Sequence, residues 1–341
     1  MVLEAKLNDK EGNAVKKMKK LILMIISVLL TMALFAGCGK KEETPGLRIG
    51  GMKGPTSMGL LFMKEEAENG ENPEGYAFTM VTGADELLPM MIKGELDIAL
   101  VPANVAAVLY QKTEGGVAVI DINTLGVLYM VSGDGEIGQP EDLRGKTIYL
   151  TGKGTTPDYV LHYILKENGL QEGDYTLEYK SEPTEVAALL AEKPEAVGLL
   201  PQPFVTVACA QNENLQVVMD MNEQWSRLQG EGGSRMVTGV TVVRREILDA
   251  YPEAVETFLQ NHKDSAKAIN EDAEKGAELV VAAGIIGKAP IAQKAIPNCN
   301  ITYIDGAEMK QALSGYLEVL FEQDASSVGG KLPGEDFYYV P

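Results

Sequence analysis

The order of strands and helices is the feature that most restricts how this chain of 341 residues can fold. Short apolar strands alternate with helix-like segments from residue 47 onward, which predicts mostly parallel sheets flanked by helices. In the first part of the chain, strands are predicted at residues 47–52, 76–81, 96–101 and 117–120. The helices between them are predicted at residues 58–66, 85–92 and 106–111. The predicted fold class is therefore α/β.

The same order of elements recurs about a hundred residues later. The loop 53–57 (KGPTS) has a counterpart in 153–157 (KGTTP), and each loop follows a strand and opens a helix. The segment 96–102 (LDIALVP) has a counterpart in 195–201 (EAVGLLP), and both end in proline. Any two strand–helix units look somewhat alike, but the paired loops and paired prolines favour a structural duplication.

Domain boundaries follow from this doubling. The predicted lobes are residues 47–131 with 239–341, and residues 132–238. The tail contains two apolar helix faces, around Phe258 and around Tyr316, which we expect to cover the first lobe. The chain then passes between the lobes near the strands 125–132 and 240–243, which predicts a two-strand hinge.

The N-terminal segment determines the predicted compartment. Four lysines between residues 16 and 20 precede the apolar run 21–35, and Cys38 directly follows an Ala-Gly pair. A basic region, a short apolar region and small residues at a cleavage point are typical of a secretory signal. The apolar run, at about 15 residues, is shorter than the roughly 20 that a spanning helix needs. The predicted segments are a signal peptide at 1–37 and a lipid tether at 38–46.

The position of Cys38 resembles a bacterial lipobox, which implies that this cysteine is lipidated. Diacylation would supply the two chains that stable anchoring requires. The protein is then expected to be extracytoplasmic and held on a bacterial membrane through Cys38. An ordinary cleaved signal with an incidental cysteine is the alternative.

The net charge of the chain is −19, and the lysine-rich leader makes the remaining body more acidic still. Such a body is not expected to bind nucleic acid or anionic lipid by general electrostatics. At physiological salt the Debye length is about 8 Å, so distant surface acids are largely screened. The charge therefore does not exclude an anionic ligand.

Recognisable catalytic motifs are absent from the sequence. Neither of the two histidines has an evident catalytic partner, because His162 has no acid recognisably beside it and His262 shares an apolar helix face. Cys209 and Cys299 could pair in an oxidising compartment, but their spacing suggests no metal site. We therefore predict a binding protein and not an enzyme, with no catalytic residue, no metal and no cofactor.

The predicted ligand site lies in loops that follow strands and open helices. Backbone amides at a helix start suit a carboxylate or a sulfonate, and open α/β sheets bind ligands at the carboxyl ends of their strands. Capping residues occur at every helix start, and most of them bind no ligand. These two loops differ from ordinary helix starts because they occur as a matching pair. The single tryptophan could stack on a ligand or lie in the core. The candidate residues are Lys53, Thr56, Ser57, Asn104, Lys153, Thr155, Thr156, Gln202 and Trp225.

Several segments together resemble a known family, the ABC-transporter substrate-binding proteins for nitrate, sulfonates and taurine. That family also includes binders of thiamine pyrimidine precursors. The segments are the lipobox, 52–57 (MKGPTS), 96–104 (LDIALVPAN), 152–158 (GKGTTPD) and 201–204 (PQPF). The resemblance spans about residues 47–339 and implies a two-lobe, type II periplasmic-binding-protein fold. Relatives often have Glu-Pro where this chain has Pro201-Gln202-Pro203, which leaves the charge of the ligand open.

The resemblance implies the solute-binding component of an ABC importer, which captures a small anion between its lobes by hinge closure. Its expected partners are the solute, the permease and ATPase subunits, and the membrane through the lipid, with no nucleic acid and a monomeric state. A binder of a thiamine-type pyrimidine or other heterocycle is one alternative. A sensor lipoprotein without a transport role is another. An exported enzyme on the same fold is the least favoured, because two dispersed histidines do not form a catalytic cluster.

Overall fold

The computed structural model describes residues 46–231 and 233–341. The predicted signal peptide, Cys38 and the tether up to residue 45 lie outside the described residues. Within the described ranges, no helix is both long and apolar enough to cross a membrane. These residues form two β-sheets, and helices flank both of them.

Six strands form the first sheet: β1 (Arg48–Met52), β2 (Ala77–Val81), β3 (Ile98–Pro102), β4 (Val117–Leu125), β10 (Val237–Arg244) and β11 (Ile301–Ile304). Five form the second: β5 (Leu128–Ser132), β6 (Thr147–Leu150), β7 (Thr176–Tyr179), β8 (Val197–Pro201) and β9 (Gln216–Asp220). The sheet orders are β11-β4-β10-β3-β1-β2 and β7-β6-β8-β5-β9. Four strands of each sheet run in one direction. In the first sheet β10 and β11 run antiparallel to these four, and in the second sheet only β5 does. Both sheets are therefore mixed.

The two sheets repeat one arrangement down to the register of their strands. Ile49 of β1 lies opposite Ile98 of β3, and Ile148 of β6 lies opposite Val197 of β8. The partners are equally far apart along the chain in both sheets. The next strand in each sheet is antiparallel: β10 lies beside β3 in the first sheet, and β5 lies beside β8 in the second. The duplication predicted from the loops and prolines is thus present in the strand topology.

The chain crosses between the lobes at positions that differ from the prediction. The segment predicted as one strand is divided, since Leu125 ends β4 in the first sheet and Leu128 begins β5 in the second. The return crossing precedes Val237, where β10 begins. Both β5 and β10 lie between two other strands, which pairs their backbone groups on both edges. The strand β5, which the prediction placed in the first lobe, therefore belongs to the second lobe. The chain crosses between the lobes at residues 126–127.

Twelve helices are described, of which seven precede residue 231 and five lie in the tail. The first seven are α1 (Leu61–Glu68), α2 (Ala84–Ile92), α3 (Ala103–Lys112), α4 (Thr156–Glu167), α5 (Pro183–Glu192), α6 (Phe204–Gln211) and α7 (Met221–Gln229). The tail helices are α8 (Arg245–Ala250), α9 (Pro252–Glu271), α10 (Ala273–Ala282), α11 (Ala289–Ala295) and α12 (Gly306–Gln323). A 3-10 turn, Pro55–Leu60, connects β1 to α1.

The tail helices do more than cover the first lobe. The apolar face of α9 packs on the turn Pro55–Leu60 and on α1, as the spacing of its apolar residues predicts. By contrast, α12 contacts β4 and β10 of the first lobe and α4 of the second. Its Tyr316 ring lies 5.2 Å from the ring of Trp225 in α7. The tail therefore joins the two lobes, which the prediction did not anticipate.

The two cysteines of the described body are both free thiols. Cys299 is buried after α11, and burial raises the pKa of its thiol to about 12. Cys209 is half-buried on α6. The disulfide that the sequence left open is therefore not formed.

Candidate functional site

A cavity of about 340 Å³ lies between the two lobes. Its walls come from the carboxyl ends of strands in both sheets, including Lys53 after β1, Pro102 at the end of β3, Lys153 after β6 and Pro201 at the end of β8. The matching ends of two similar sheets thus face one another. This is the place where open α/β folds bind ligands. We call this space the cleft.

The cleft has apolar walls with a limited set of polar groups. The apolar part consists mainly of Met52, Leu128, Phe204 and five prolines, which are Pro55, Pro102, Pro157, Pro183 and Pro201. The charged side chains are Lys53, Lys153 and Asp85. The hydroxyl side chains are those of Thr56, Thr82, Thr151, Thr155, Thr156, Ser181 and Thr238. A ligand with an apolar body and one polar end would match such a lining.

Three of these hydroxyls are buried without a hydrogen-bond partner, namely those of Thr56, Thr156 and Thr238. They come from the first lobe, the second lobe and the crossing strand β10, respectively. Tyr316 approaches Thr156, but no hydrogen bond of normal geometry joins their hydroxyls. A buried polar group without a partner costs about 1–3 kcal/mol, so these hydroxyls favour a ligand that supplies polar atoms. Thr56 and Thr238 carry this argument, because neither has a partner, whereas Tyr316 lies beside Thr156.

Each lobe contributes one lysine to the cleft. Lys53 and Lys153 are both exposed, and neither forms an ion pair with another described residue. The Lys153 ammonium lies 5.3 Å from the centre of the Tyr179 ring, within range of a cation–π contact. Two cations against the single carboxylate of Asp85 leave this part of an otherwise acidic protein locally positive.

Five of the nine candidate residues line the cleft, and four do not. Those that line it are Lys53, Thr56, Lys153, Thr155 and Thr156. The four others, Ser57, Asn104, Gln202 and Trp225, have side chains that the fold itself uses. The loops were therefore located from the sequence, but the role of each side chain within them was not.

Ser57 and Gln202 hold the backbone beside the cleft. The Ser57 hydroxyl accepts a hydrogen bond of 2.8 Å from the Met52 amide, which fixes the loop at the end of β1. The side-chain oxygen of Gln202, Oε1, accepts a hydrogen bond of 2.9 Å from the Thr206 hydroxyl in α6. Both side chains are at least 95% buried and hydrogen bonded within the protein, so in this conformation they shape the walls of the cleft.

Asn104 connects the two lobes. Its Nδ2 donates to the Gly154 carbonyl of the second lobe at 3.2 Å, and to the Ser327 carbonyl of the tail at the same distance. The side chain is fully buried. The Nδ2 atom of this predicted ligand residue thus joins the two lobes, whereas its buried Oδ1 has no hydrogen-bond partner.

Trp225 lies in the core and not in the cleft, which corrects its assignment as a ligand residue. It is fully buried between Tyr163 of α4 and Tyr316 of α12, with ring centres 4.8 and 5.2 Å away. Its Nε1 donates to the Ser234 carbonyl at 2.9 Å. A helix in the tail, distant in sequence, thus covers the indole.

The start of α4 is less open to an anion than the sequence suggested. Thr155 precedes the helix, and its hydroxyl donates to the Gly152 carbonyl at 2.6 Å. The Gly154 amide donates to the Asp158 carboxylate at 2.7 Å. A negatively charged side chain of the chain itself therefore occupies this helix end. Recognition of an anion must rest mainly on the lysines and hydroxyls.

A second cavity, of about 710 Å³, lies on the second lobe beside α4. We call it the groove. It is lined by His162, Asp158, Tyr175, Lys166 and Lys153, among others. Lys153 and the loop around it separate the groove from the cleft, since Lys153 lines both.

His162 has an acid beside it after all. Its Nε2 lies 3.2 Å from Asp158 Oδ1, one helical turn earlier, and its Nδ1 lies 3.2 Å from the Tyr175 hydroxyl. The Tyr179 hydroxyl also donates to Asp158, at 2.6 Å. The hydrogen bond with Asp158 raises the pKa of His162. Burial opposes ionisation of Asp158, yet the hydrogen bonds from His162, Gly154 and Tyr179 hold its pKa below the usual value.

These pKa shifts predict a pH-dependent stability. The pKa of folded His162 is raised, so the ion pair stabilises fully below the unfolded value of about 6.5 and this stabilisation is lost as the pH rises through the folded value. The pKa of folded Asp158 is lowered, so its contribution is lost only as the pH falls below about 4. Urea unfolding of the full chain should therefore show a larger loss on His162→Gln at pH 5.5 than at pH 8.5. Equal losses of unfolding free energy at the two pH values would contradict a stabilising His162–Asp158 ion pair.

The cavity-lining polar residues that the sequence did not indicate include Asp158, Tyr175 and Thr238. The four-residue spacing of Asp158 and His162 was a usable signal, because residues i and i+4 are neighbours on a helix. Tyr175 and Thr238 gave no signal, since only the tertiary fold brings them to α4 and to the cleft. In the described ranges, no group of three or more His, Cys, Asp or Glu side chains is placed to hold a metal ion.

Comparisons with known proteins agree with this geometry. A family model described as menaquinone biosynthesis matches residues 58–293. No curated protein matches the chain. Among solved structures, an ABC transporter protein from Parabacteroides distasonis is 23% identical, with a TM-score of 0.69 over 87% of this chain and 98% of that one.

Two other solved structures are more distant in sequence. The periplasmic aliphatic sulphonate-binding protein of Escherichia coli is 16% identical, with a TM-score of 0.69 over 87% of this chain and 92% of that one. The periplasmic nitrate-binding protein of Synechocystis is 12% identical, with a TM-score of 0.61 over 84% of each chain. These likenesses confirm the two-lobe, type II periplasmic-binding-protein fold that the resemblance implied.

Proposed function

This chain belongs to the family described as menaquinone biosynthesis, and we propose that it uses its cleft to capture a small organic anion for an ABC importer. The observation that carries the proposal is the composition of the cleft. One lysine from each lobe and the unpaired hydroxyls of Thr56 and Thr238 converge on a largely apolar cavity. The likeness to solved solute-binding proteins supports it.

The size of the cleft favours an organic anion over nitrate. A volume of about 340 Å³ is at the lower end of the roughly 300–1,000 Å³ typical of ligand pockets. A water molecule takes about 30 Å³ of liquid, so a four-atom ion such as nitrate would fill only a small part. The proline, Leu128 and Phe204 walls would then contact nothing. A sulfonate or carboxylate with an apolar body fits better, and a thiamine-type pyrimidine is the alternative ligand.

The proposed mechanism is hinge closure about the two crossings. The ligand contacts loops of both lobes and so binds the closed form better than the open one. The Asn104–Gly154 hydrogen bond adds to the closed form without contacting the ligand. Single hydrogen bonds contribute about 0.5–1.5 kcal/mol, whereas micromolar binding needs about 8.2 kcal/mol. Several contacts, including the lysines, must therefore act together.

The proposal places the protein outside the cytoplasm, anchored through Cys38, as a monomer that delivers its solute to a permease and its ATPase. A sensor lipoprotein would share the cleft and the anchor but would act without these subunits. We expect Cys38→Ser to move the protein from the membrane pellet to the soluble fraction on cell fractionation, because diacylation at that residue would be lost. A variant that stays in the pellet would contradict the anchor.

A thermal-shift screen of the full chain tests the proposed ligand class. The probes are nitrate, alkanesulfonates of two to six carbons, aromatic carboxylates and aminopyrimidines. A ligand at 100 times its Kd adds about 2.7 kcal/mol, which for a body of this size raises the melting temperature by about 5 °C. We expect the organic acids to give this shift and nitrate to give none. No shift with any acid would overturn the proposal, and a shift with the pyrimidines alone would select the alternative.

An enzyme is the second candidate function, and the groove is the observation that favours it. Asp158 orients His162, and Tyr175 lies on the other nitrogen, so the three side chains could pass a proton to or from a bound molecule. The family description also refers to biosynthesis. Against this reading, both oxygens of the Asp158 carboxylate already accept hydrogen bonds within the protein.

Mass spectrometry separates the two candidates. The ligand found by thermal shift is incubated with the full chain in D₂O and recovered, and its molecular mass is then measured. A binding protein returns it unchanged, whereas proton transfer by His162 would add deuterium or convert the ligand. In the enzyme case, His162→Gln should abolish the change, and Lys93→Gln, an exposed control outside both cavities, should preserve it.

A further inference from the structure

A buried strand of the first lobe carries polar side chains where apolar ones would be expected. Asp121, Asn123 and Thr124 of β4 are each at least 99% buried. The strand lies between β10 and β11 in the first sheet. Burying polar groups is costly unless they are hydrogen bonded. Their partners therefore indicate what the strand does.

These side chains form a continuous hydrogen-bonded chain. Asp121 Oδ1 accepts from the Thr241 hydroxyl at 2.8 Å, and Thr241 in turn accepts from Asn123 Nδ2 at 3.2 Å. Asn123 Oδ1 accepts from the Thr124 hydroxyl at 3.0 Å. At the far end, Asp121 Oδ2 lies 3.1 Å from Nδ1 of the fully buried His262 in α9. We call this set the polar chain.

The polar chain ends on the turn that carries Thr56. The Thr124 hydroxyl lies 3.4 Å from the Pro55 carbonyl and can share its proton between that oxygen and Asn123. A methyl group added at Gly239 would lie 2.4 Å from Asn123 Oδ1 and 2.5 Å from Thr56 Cγ2. Only a glycine therefore lets the polar chain and Thr56 approach each other this closely.

The other end of the polar chain reaches the same turn. A methyl group added at Gly59 would lie 3.4 Å from His262 Nε2, so the imidazole packs against the turn Pro55–Leu60. The polar chain thus supports this turn near Pro55 and near Gly59. Between these two points lies Thr56, whose hydroxyl is buried beside the cleft without a partner.

We propose that the polar chain is a positioning network that fixes the turn Pro55–Leu60 and so directs the Thr56 hydroxyl to the ligand. Its residues do not touch the ligand and act through Thr56. The proposal rests on the proposed function, because it assumes that the cleft binds a ligand. A role in stability alone is the competing explanation, and the test must separate the two.

The test compares three variants of the full chain. Thr124→Val keeps the shape of the side chain but removes the link to Pro55, and Thr124→Ser restores a hydroxyl. Thr113→Val is the matched control, because its hydroxyl donates to Leu109 at the end of α3 and takes no part in the polar chain. Thermal melting is measured for all three, so that stability is known separately.

The first readout is hydrogen exchange of the ligand-free protein, followed on peptides that cover residues 52–61. We expect Thr124→Val to speed exchange there about tenfold, as the loss of one buried hydrogen bond would. Peptides of α4 should not change. Thr124→Ser and Thr113→Val should match the wild type on residues 52–61. Equal exchange in Thr124→Val and the wild type would overturn the proposal, whatever the cleft binds.

The second readout is the Kd for butane-1-sulfonate. We expect a rise of about tenfold in Thr124→Val and less than twofold in Thr124→Ser and Thr113→Val. A wild-type protein that does not bind the sulfonate would count against the proposed function and leave the exchange result to decide on the polar chain. Binding that is unchanged in Thr124→Val would show that the polar chain serves stability alone.

Discussion

Replacing Trp225 with alanine is expected to lower the free energy of unfolding by about 3–5 kcal/mol, the usual range for removing a buried tryptophan. The indole fills the space between Tyr163 of α4 and Tyr316 of α12, and alanine would leave a cavity there. The Ser234 carbonyl would also lose its donor. For a body of this size the melting temperature should fall by about 5–9 °C.

A second substitution at this position tests whether Trp225 contacts a ligand. Trp225→Phe, which keeps an aromatic ring, should lose less stability and leave the Kd of an organic acid within about twofold, because the indole lies outside the cleft. A ligand-stacking tryptophan would behave in the opposite way. Its replacement would weaken binding while melting stayed near the wild-type temperature, and that result would return Trp225 to the site.

Replacing both Lys53 and Lys153 with methionine should weaken the binding of an organic anion by about a hundredfold. The two ammonium groups line the cleft from opposite lobes and form no ion pair with other described residues. Exposure and salt reduce each contribution, so we expect about tenfold for each lysine. The Kd is measured by calorimetry at low and high salt, and the double variant should lose most of the salt dependence.

Lys166→Met is the matched control for the lysine variants, because Lys166 lines the groove and not the cleft. It should leave the Kd unchanged if the anion binds between the lobes. A loss of affinity in Lys166→Met, with the single variant Lys53→Met unaffected, would move the ligand to the groove and favour the enzyme reading, because Lys53 lines only the cleft. A double variant with the wild-type Kd would exclude an anion held by the two lysines.

Much of the fold could be predicted because it depends on local patterns. The alternation of strands and helices and the paired loops indicated two similar lobes, and the paired register of Ile49 with Ile98 and Ile148 with Val197 agrees. The crossings were placed less well. A run of apolar residues such as 125–132 does not reveal that its two ends belong to different sheets. That division depends on which strands lie beside it.

The sequence by itself determined the α/β class, the duplication and the two loops that face each other across the cleft, because periodicity and loop chemistry are encoded in neighbouring residues. Only the tertiary structure decided what individual side chains do. Trp225 is a core residue because α12 packs over it, and Asn104 joins the lobes because Gly154 lies within reach of its amide. Thr238 reaches the cleft because β10 returns from the second lobe. Such contacts join residues far apart in sequence, and no local pattern contains them.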